Sequence, residues 1–230
     1  MASRATEIRI VLAAFGLFAV LFIGWPGLDL WASGQFYRDG AWAFRNGNWP
    51  VFEWLFRGVP RLGQGLLIAL TLALLLGLVP CLGWLRARRT FFGFLLAGAL
   101  LGPVLLVDAT LKDTMGRARP LTVEAFNGNR SFTPAFVPSD QCPKNCSFVS
   151  GHVATAAFIM AFGWLAAPAI RRRWLLASLA TGGLLAVVRL SAGGHFLSDT
   201  IFAWFATYFA LWATEWIFRR LGWLPARQAD

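Results

Sequence analysis

The sequence predicts an all-α integral membrane bundle of six transmembrane helices, and three observations carry that prediction. Of 230 residues, 57% are hydrophobic and only 14% are charged, against roughly 25% charged in soluble domains. The mean hydropathy is +0.59. The apolar residues gather into runs near the ~20 residues that a bilayer crossing needs. Too few charges remain to cover a water-facing surface, and the same composition excludes disorder, collagen, coiled coil and a small disulfide scaffold.

In chain order the runs are 8–28, 62–85, 91–111, 152–169, 174–190 and 199–218. The first follows a short basic segment, 1–9, which admits either a cleaved signal peptide or an uncleaved first helix. No A-x-A site follows promptly and the run is long for a signal core, so an uncleaved helix is expected. One set of connections holds Arg4, Arg9, Arg86, Arg88, Arg89, Arg171, Arg172, Arg173, Arg219, Arg220 and Arg227. These are 11 of the 21 Lys and Arg residues, with three acids, Glu7, Glu215 and Asp230; the opposite set holds ten basic and eight acidic residues. Positive residues mark the cytoplasmic side. Both termini are therefore expected in the cytoplasm, and the long connections 29–61 and 112–151 on the outward face of the membrane.

A net charge of +10 and a pI near 11.1 invite a nucleic-acid reading. The basic residues, however, fall in short clusters beside apolar runs, as anchors on anionic lipid do, and form no continuous polar face. Membrane lipid is the expected partner and nucleic acid is not. The first outer connection carries Trp31, Phe36, Tyr37, Trp42, Phe44, Trp49, Phe52, Trp54 and Phe56. Rings of this kind settle at headgroup depth, so an interfacial helical segment on the outer face is expected, either as a belt that sets depth or as a lipid entry path. Of three cysteines, Cys142 and Cys146 share the second outer connection. A disulfide is expected in an oxidising compartment; the rival, a metal site, lacks a His or third Cys within that loop.

Only two histidines occur, both at outward ends of predicted spans. His195 lies in VRLSAGGHFLSD, residues 188–199, six residues after Arg189 and four before Asp199. On a helix, i and i+4 share a face. A carboxylate there can hold one imidazole nitrogen as N–H and leave the other as a nucleophile. Gly193 and Gly194 are expected to leave room for a tetrahedral oxyanion. His152 closes CSFVSGH, residues 146–152, at a predicted helix N-terminus, where free N–H groups and the dipole favour phosphate. Ser150 adds a hydroxyl, and Gly151 allows close backbone approach. Upstream, KDTMGRARP, residues 112–120, supplies Lys112 and Arg119, the latter suited to bidentate phosphate contact. Asp108, one turn before Lys112, forms a functional or a purely structural pair with it. Plainer readings stand beside each: Lys112, Arg117 and Arg119 as headgroup anchors, a histidine as a polar cap at the interface, and Asp199 as a helix cap. Hydropathy and charge alone nevertheless bring all three blocks to one surface.

Together the blocks resemble the type 2 phosphatidic acid phosphatase (PAP2) superfamily, whose pattern reads Lys-x6-Arg-Pro, then Pro-Ser-Gly-His, then Ser-Arg-x5-His-x3-Asp. The resemblance implies a single PAP2-like membrane domain over 1–230, with its motif region at 112–199. It implies hydrolysis of a lipid phosphomonoester or pyrophosphate through phosphohistidine, without metal or other cofactor. By the same resemblance His195 is the nucleophile, Asp199 orients it, and His152 protonates the leaving oxygen. Lys112, Arg119, Ser150, Gly151 and Arg189 hold the phosphate. Val149 stands where the pattern has Pro, and Val188 where it has Ser; neither change removes a charge or a proton-transfer group. The CSFVSGH wording resembles bacterial lipid A phosphatases within the superfamily. Undecaprenyl pyrophosphate, phosphatidylglycerophosphate and phosphatidic acid remain alternative substrates, and transfer to a second lipid remains the alternative to hydrolysis. A phospholipid transporter is the non-enzymatic rival, but transporters place their polar sites near mid-membrane on broken helices, whereas these charges sit at helix ends.

No Cys, His, Asp or Glu set apart from the histidine blocks has metal-ligand spacing, and three cations can neutralise phosphate charge. Phosphate release is therefore expected to survive EDTA. A complete loss restored only by a divalent ion would contradict this reading.

Overall fold

The computed structural model describes residues 4–44 and 49–225. Arg45, Arg227 and Asp230, counted in the charge asymmetry, lie outside the described residues, as do residues 1–3 of the basic N-terminal segment. The chain runs through α1 (Arg4–Gly24), α2 (Gly27–Gly34), a hairpin of β1 (Tyr37–Arg38) and β2 (Ala41–Trp42), then α3 (Pro50–Leu76) and α4 (Gly83–Ala87). It continues through α5 (Arg89–Thr114), α6 (Gly151–Gly163), α7 (Pro168–Ser191) and α8 (Leu197–Arg220).

Among the described residues, five helices are long and apolar enough to cross a membrane: α1, α3, α5, α7 and α8. The expected six full spans are therefore corrected to five and one shorter apolar helix, α6. The α6 helix, Gly151–Gly163, has too few residues to cross ~30 Å alone, and its second half winds in 3₁₀ fashion over Phe158–Gly163. Its small residues Ala154, Ala157 and Ala161 are buried, so protein rather than lipid encloses it. Close helix contact through small residues is the usual packing in membranes. The Thr181 hydroxyl of α7 adds a hydrogen bond to the Ala156 carbonyl at 3.0 Å.

The apolar window of α8 is 61% buried, against 11% for α1 and 6% for α3. The α8 helix is thus the axis of the bundle, packed against α1, α2, α5, α6 and α7, while α1 and α3 present apolar surface outward. Phe15 of α1 meets Phe202, Phe205 and Phe209 of α8 edge-on, with ring centroids 5.4–5.6 Å apart. Such pairs each add about 0.5–1.5 kcal/mol beyond area burial. In α5, Pro103 has no N–H for the helical ladder, and hydrogen bonding widens to i→i+5 over Leu100–Leu111. Widened turns of this kind often accompany functional sites; this one ends at Asp108 and Lys112.

The α3 helix begins at Pro50 rather than near residue 62, since proline's fixed φ suits a first helical turn. Phe52, Trp54 and Phe56 therefore belong to a span and not to an interfacial segment. The helical part of the first connection is α2, and the rest folds inward. Asp39 and Gly40 both take positive φ, the requirement of a tight hairpin turn. This turns Trp42 down onto Tyr37 and Phe126, leaving it 4% exposed. Trp31, Trp49 and Trp54 stay exposed, as a belt requires.

At the end of the bundle away from the histidines, the basic clusters divide. Arg171 is buried and donates two hydrogen bonds to Glu7 of α1, at 2.8 and 2.6 Å. Tyr208 of α8 donates a third to the same carboxylate at 2.7 Å. Arg4 pairs with Glu215, and Arg4 and Arg171 both lie against the Trp164 ring. This clasp ties α1 to α7 and α8. Removing one member of a buried pair strands its partner, so Arg171→Ala is expected to cost about 3 kcal/mol, read as a lower Tm in detergent. Arg172→Ala, on an exposed residue, is expected to stay within about 0.5 kcal/mol. Equal effects would refute the clasp.

Candidate active site

Most of the residues singled out in the sequence meet at one end of the bundle, where the 112–151 connection folds over the starts of α6 and α8. The segment after α5 and the segment before α6 run side by side. Cys146 N–H donates to the Lys112 carbonyl at 3.0 Å, and Ser147 N–H to the Arg117 carbonyl at 2.9 Å. A disulfide joins Cys142 to Cys146, with Cα atoms 5.6 Å apart, while Cys81 is free and exposed. Asn145, inside that loop, accepts two hydrogen bonds from the Arg119 guanidinium, at its carbonyl (2.7 Å) and its side-chain oxygen (3.1 Å).

His195 is buried, 1% exposed, and its Nδ1 lies 2.7 Å from the Ser147 carbonyl oxygen. A carbonyl only accepts, so Nδ1 carries the hydrogen and Nε2 keeps the lone pair. The expected direct bond to Asp199 is replaced: the carboxylate lies 3.7 Å from Nδ1. Asp199 instead accepts from Ser147 Oγ at 2.6 Å, from Phe196 N–H at 2.8 Å and from Arg117. It therefore caps α8 from the third helical position, as half of a capping box does, while orienting the residue that holds His195. Burial first, then the charges of Arg189, Arg119 and Lys112, push the His195 imidazole well below its ordinary range. It stands neutral at pH 7, the state a nucleophile requires.

His152 begins α6. Its Nε2 lies 2.9 Å from the Phe56 carbonyl of α3, which makes Nδ1 the nitrogen available for proton transfer. Its ring stacks on Phe56 at 5.1 Å. The Arg189 guanidinium also packs on Phe56, at 4.7 Å. Arg189 is buried, its Nε has no hydrogen-bond partner among the described residues, and no described carboxylate pairs with it. A guanidinium in that condition calls for an anion. Lys112 pairs with Asp108 at 2.6 Å, and both head groups lie against Gly151, where an added Cβ would come within 2.6 Å of each. Ser150 is buried at the start of α6 and bonds through its N–H to the Asp199 carbonyl at 3.0 Å.

The glycines do not make room for an oxyanion as expected; they make room for protein. A Cβ on Gly194 would lie 2.3 Å from Arg189 NH2, and one on Gly193, whose φ is +62°, would lie 2.4 Å from the Trp42 ring. The sequence reading also left out the layer beneath. Arg117, taken for a headgroup anchor, is 1% exposed, as is Asp29, and the two form a salt bridge at 2.8 Å. Ser147, Ser198 and Phe56 were missed as well. Their only signal was position: Arg117 lies within the first block, Ser147 and Ser198 adjoin named residues, and Asp29 is an acid at the edge of an apolar run.

Two histidines beside a cluster of cations, set at the ends of membrane helices, suit an integral membrane hydrolase of phosphoric esters. The chain belongs to the PAP2 superfamily, whose sequence description matches residues 89–223. It is 36% identical over 199 residues to a Lipid A 4'-phosphatase of Francisella tularensis subsp. novicida (strain U112), covering 84% of this chain and 87% of the relative. A second Lipid A 4'-phosphatase, from Rhizobium etli, is 29% identical over 235 residues, covering 89% and 88%. A third, from Rhizobium leguminosarum, is 39% identical over 109 residues, covering 47% and 46%. No solved structure gives a significant match.

The Gly194 contact makes a prediction. Gly194→Ala must displace Arg189 and is expected to lower kcat/KM about 100-fold, or about 2.7 kcal/mol, with a raised KM contributing, in assays of phosphate release. Gly183→Ala, at a position with open space around it, is expected to be neutral. A Gly194→Ala enzyme with wild-type KM and kcat would show that Arg189 has no part in the site.

Proposed function

We propose that this protein removes a phosphate group from lipid A or a closely similar glycolipid, by double displacement through phosphohistidine. The observation that carries the reading is the Nδ1–H of His195 committed to the Ser147 carbonyl, which leaves Nε2 as the attacking atom amid three cations. In the first step the Nε2 lone pair attacks phosphorus. Burial first, then the charge of Arg189, lowers the His152 pKa to about 4, so Nδ1 takes up its proton only as the bound phosphate offsets the neighbouring cations. The ester P–O bond then breaks, and the leaving oxygen takes that proton from Nδ1 of His152. In the second step the same nitrogen accepts a proton from water, whose oxygen attacks phosphorus. The P–N bond breaks, inorganic phosphate departs and Nε2 regains its lone pair. Arg189, Arg119 and Lys112 hold the phosphate oxygens, supplying the positioning and charge neutralisation that phosphoryl transfer chiefly needs. Ser150 and Gly151 shape the helix N-terminus beside it.

Two features support a lipid as the carrier of that phosphate. The relatives that align over most of this chain are named for lipid A. In addition, an apolar cavity of about 440 Å³ lies among α3, α5, α6 and α7, lined by residues such as Leu66, Leu67, Val104, Ile159 and Leu184, and reaches Asp108 beside Lys112. A hydrocarbon chain seated there carries its phosphate to the cations. The charge asymmetry of the connections supports an inner-membrane placement with both termini cytoplasmic and the site periplasmic, within a single domain.

The two histidines are separable by leaving group. A sugar alkoxide needs the proton from His152; p-nitrophenolate leaves nearly unaided. His152→Ala is expected to lose about 10²–10⁴-fold on lipid A and clearly less on p-nitrophenyl phosphate, while His195→Ala fails on both. In a detergent panel with undecaprenyl pyrophosphate, phosphatidylglycerophosphate and phosphatidic acid, lipid A is expected to give the highest kcat/KM. Equal losses on both substrates in His152→Ala would reduce His152 to a phosphate ligand, and preference for another lipid would overturn the substrate.

A further inference from the structure

Beneath the site lies a buried charge system that the reaction steps above do not use. The Arg117 guanidinium spends its donors in four directions. Nε donates to the Thr133 carbonyl at 2.8 Å, one terminal nitrogen to Ser198 Oγ at 2.9 Å and to Asp199, and the other to Asp29 at 2.8 Å. Its faces are covered by Phe196 and Phe132. Asp29 comes from α2, about 170 residues earlier in the chain, and accepts from Ser198 N–H at 2.8 Å and from Ser198 Oγ at 2.6 Å. With the Arg117 bond, Asp29 accepts from three donors; burial raises its pKa above the ordinary carboxylate value, and Arg117 and Ser198 oppose that shift and favour the ionised form. Two carboxylates thus share one guanidinium, and the system carries one net negative charge. Its Asp199 end lies 3.7 Å from Nδ1 of His195.

We propose that Asp29 is a positioning residue of the phosphoryl transfer: through Arg117 and Ser198 it fixes Asp199, and it supplies the negative charge that offsets the positive imidazole ring formed when Nε2 binds phosphorus. The inference rests on the phosphohistidine reading above. Arg117 alone would neutralise Asp199 and leave the ring without a counter-charge; Asp29 restores it. Asp29 also touches none of the groups expected to hold phosphate. Its loss therefore acts on the chemical step and not on substrate affinity. A second consequence concerns the fold: docking of α2 against the start of α8 becomes a condition for activity, which a lipid-surface helix serving only as an anchor would not be.

The test is Asp29→Asn, which keeps the shape and removes the charge, assayed on lipid A with the full-length protein in detergent. Direct outer partners of a site's working groups typically contribute about 10–100-fold; Asp29 acts at a further remove, through Arg117 and Asp199, so kcat is expected to fall by about 10-fold with KM within about threefold of wild type. The rate of histidine phosphorylation in a single turnover is expected to fall in parallel. Asp39→Asn, on the exposed hairpin turn, is expected to match wild type. Ser198→Ala removes the hydroxyl joining Asp29 to Arg117 and leaves both charges, and is expected to lower kcat by roughly 3–10-fold at unchanged KM. A folded Asp29→Asn enzyme with kcat within twofold of wild type, or with a loss confined to KM, overturns the proposal. If Asp29→Asn does not fold, Ser198→Ala decides it, and wild-type kcat there overturns it. Failure of the wild-type protein to release phosphate from any lipid would refute the phosphatase reading instead, so the two failures are distinct.

Discussion

A hydrogen bond from the Nδ1–H of His195 to the Ser147 carbonyl oxygen, 2.7 Å long, determines which ring nitrogen keeps its lone pair. A carbonyl oxygen has no hydrogen to give, so the tautomer is fixed without any titration. Much of the surrounding structure serves to hold that one oxygen in place. Ser147 is tied through its N–H to Arg117, through its hydroxyl to Asp199 and through its carbonyl to His195. The same device recurs at His152, where the Phe56 carbonyl takes Nε2–H and leaves Nδ1 to carry protons. Two carbonyls on two different elements thus give the two histidines opposite working nitrogens.

Charge is layered around this pair. In front lie Lys112, Arg119 and Arg189; behind lie Asp199, Arg117 and Asp29. Two unit charges 4 Å apart interact by about 4 kcal/mol at an effective dielectric of 20, so the layering has consequences on the scale of a catalysed barrier. Burial first, and then these cations, lower the His195 pKa before substrate arrives. The carboxylates behind favour the positive ring once phosphorus is bound. Arg189 illustrates how the fold sustains an unpaired buried cation: Phe56 covers one face, and Gly194 gives way to its head group. The bound phosphate completes the pairing.

The membrane class and the gathering of three blocks at helix ends were legible in the sequence because hydropathy and charge are local, additive signals. The family pattern named His195, His152, Asp199, Lys112, Arg119 and Arg189, and the fold brings these residues to one end of the bundle. What could not be read depends on contacts distant in sequence. Asp29 finds Arg117 and Ser198 only after α2 folds back on α8. Phe56 reaches His152 only because α3 starts at Pro50, a helix start hidden in an aromatic-rich stretch. Local chemistry also misled: the i, i+4 spacing of His195 and Asp199 suggested a direct bond, yet His195 lies before α8 begins, and Ser147, from the segment before α6, stands between the two. Gly193 and Gly194 looked like space for substrate and are space for Trp42 and Arg189. The short α6 escaped a hydropathy reading because Ala and Gly runs look alike whether protein or lipid surrounds them.

The most direct test of this account is to locate the phosphoryl group on the enzyme. Wild-type protein would be given phosphorus-labelled lipid A, and His152→Ala labelled p-nitrophenyl phosphate, whose leaving group does not need the missing proton. Both would be quenched in alkali because phosphohistidine is acid-labile, and mapped by phosphorus NMR and peptide mass spectrometry. The account predicts one phosphoryl group on Nε2 of His195, accumulating in His152→Ala because water is no longer activated. A phosphoryl group on Nδ1, on His152 or on a hydroxyl, or turnover of lipid A by His195→Ala, would contradict it.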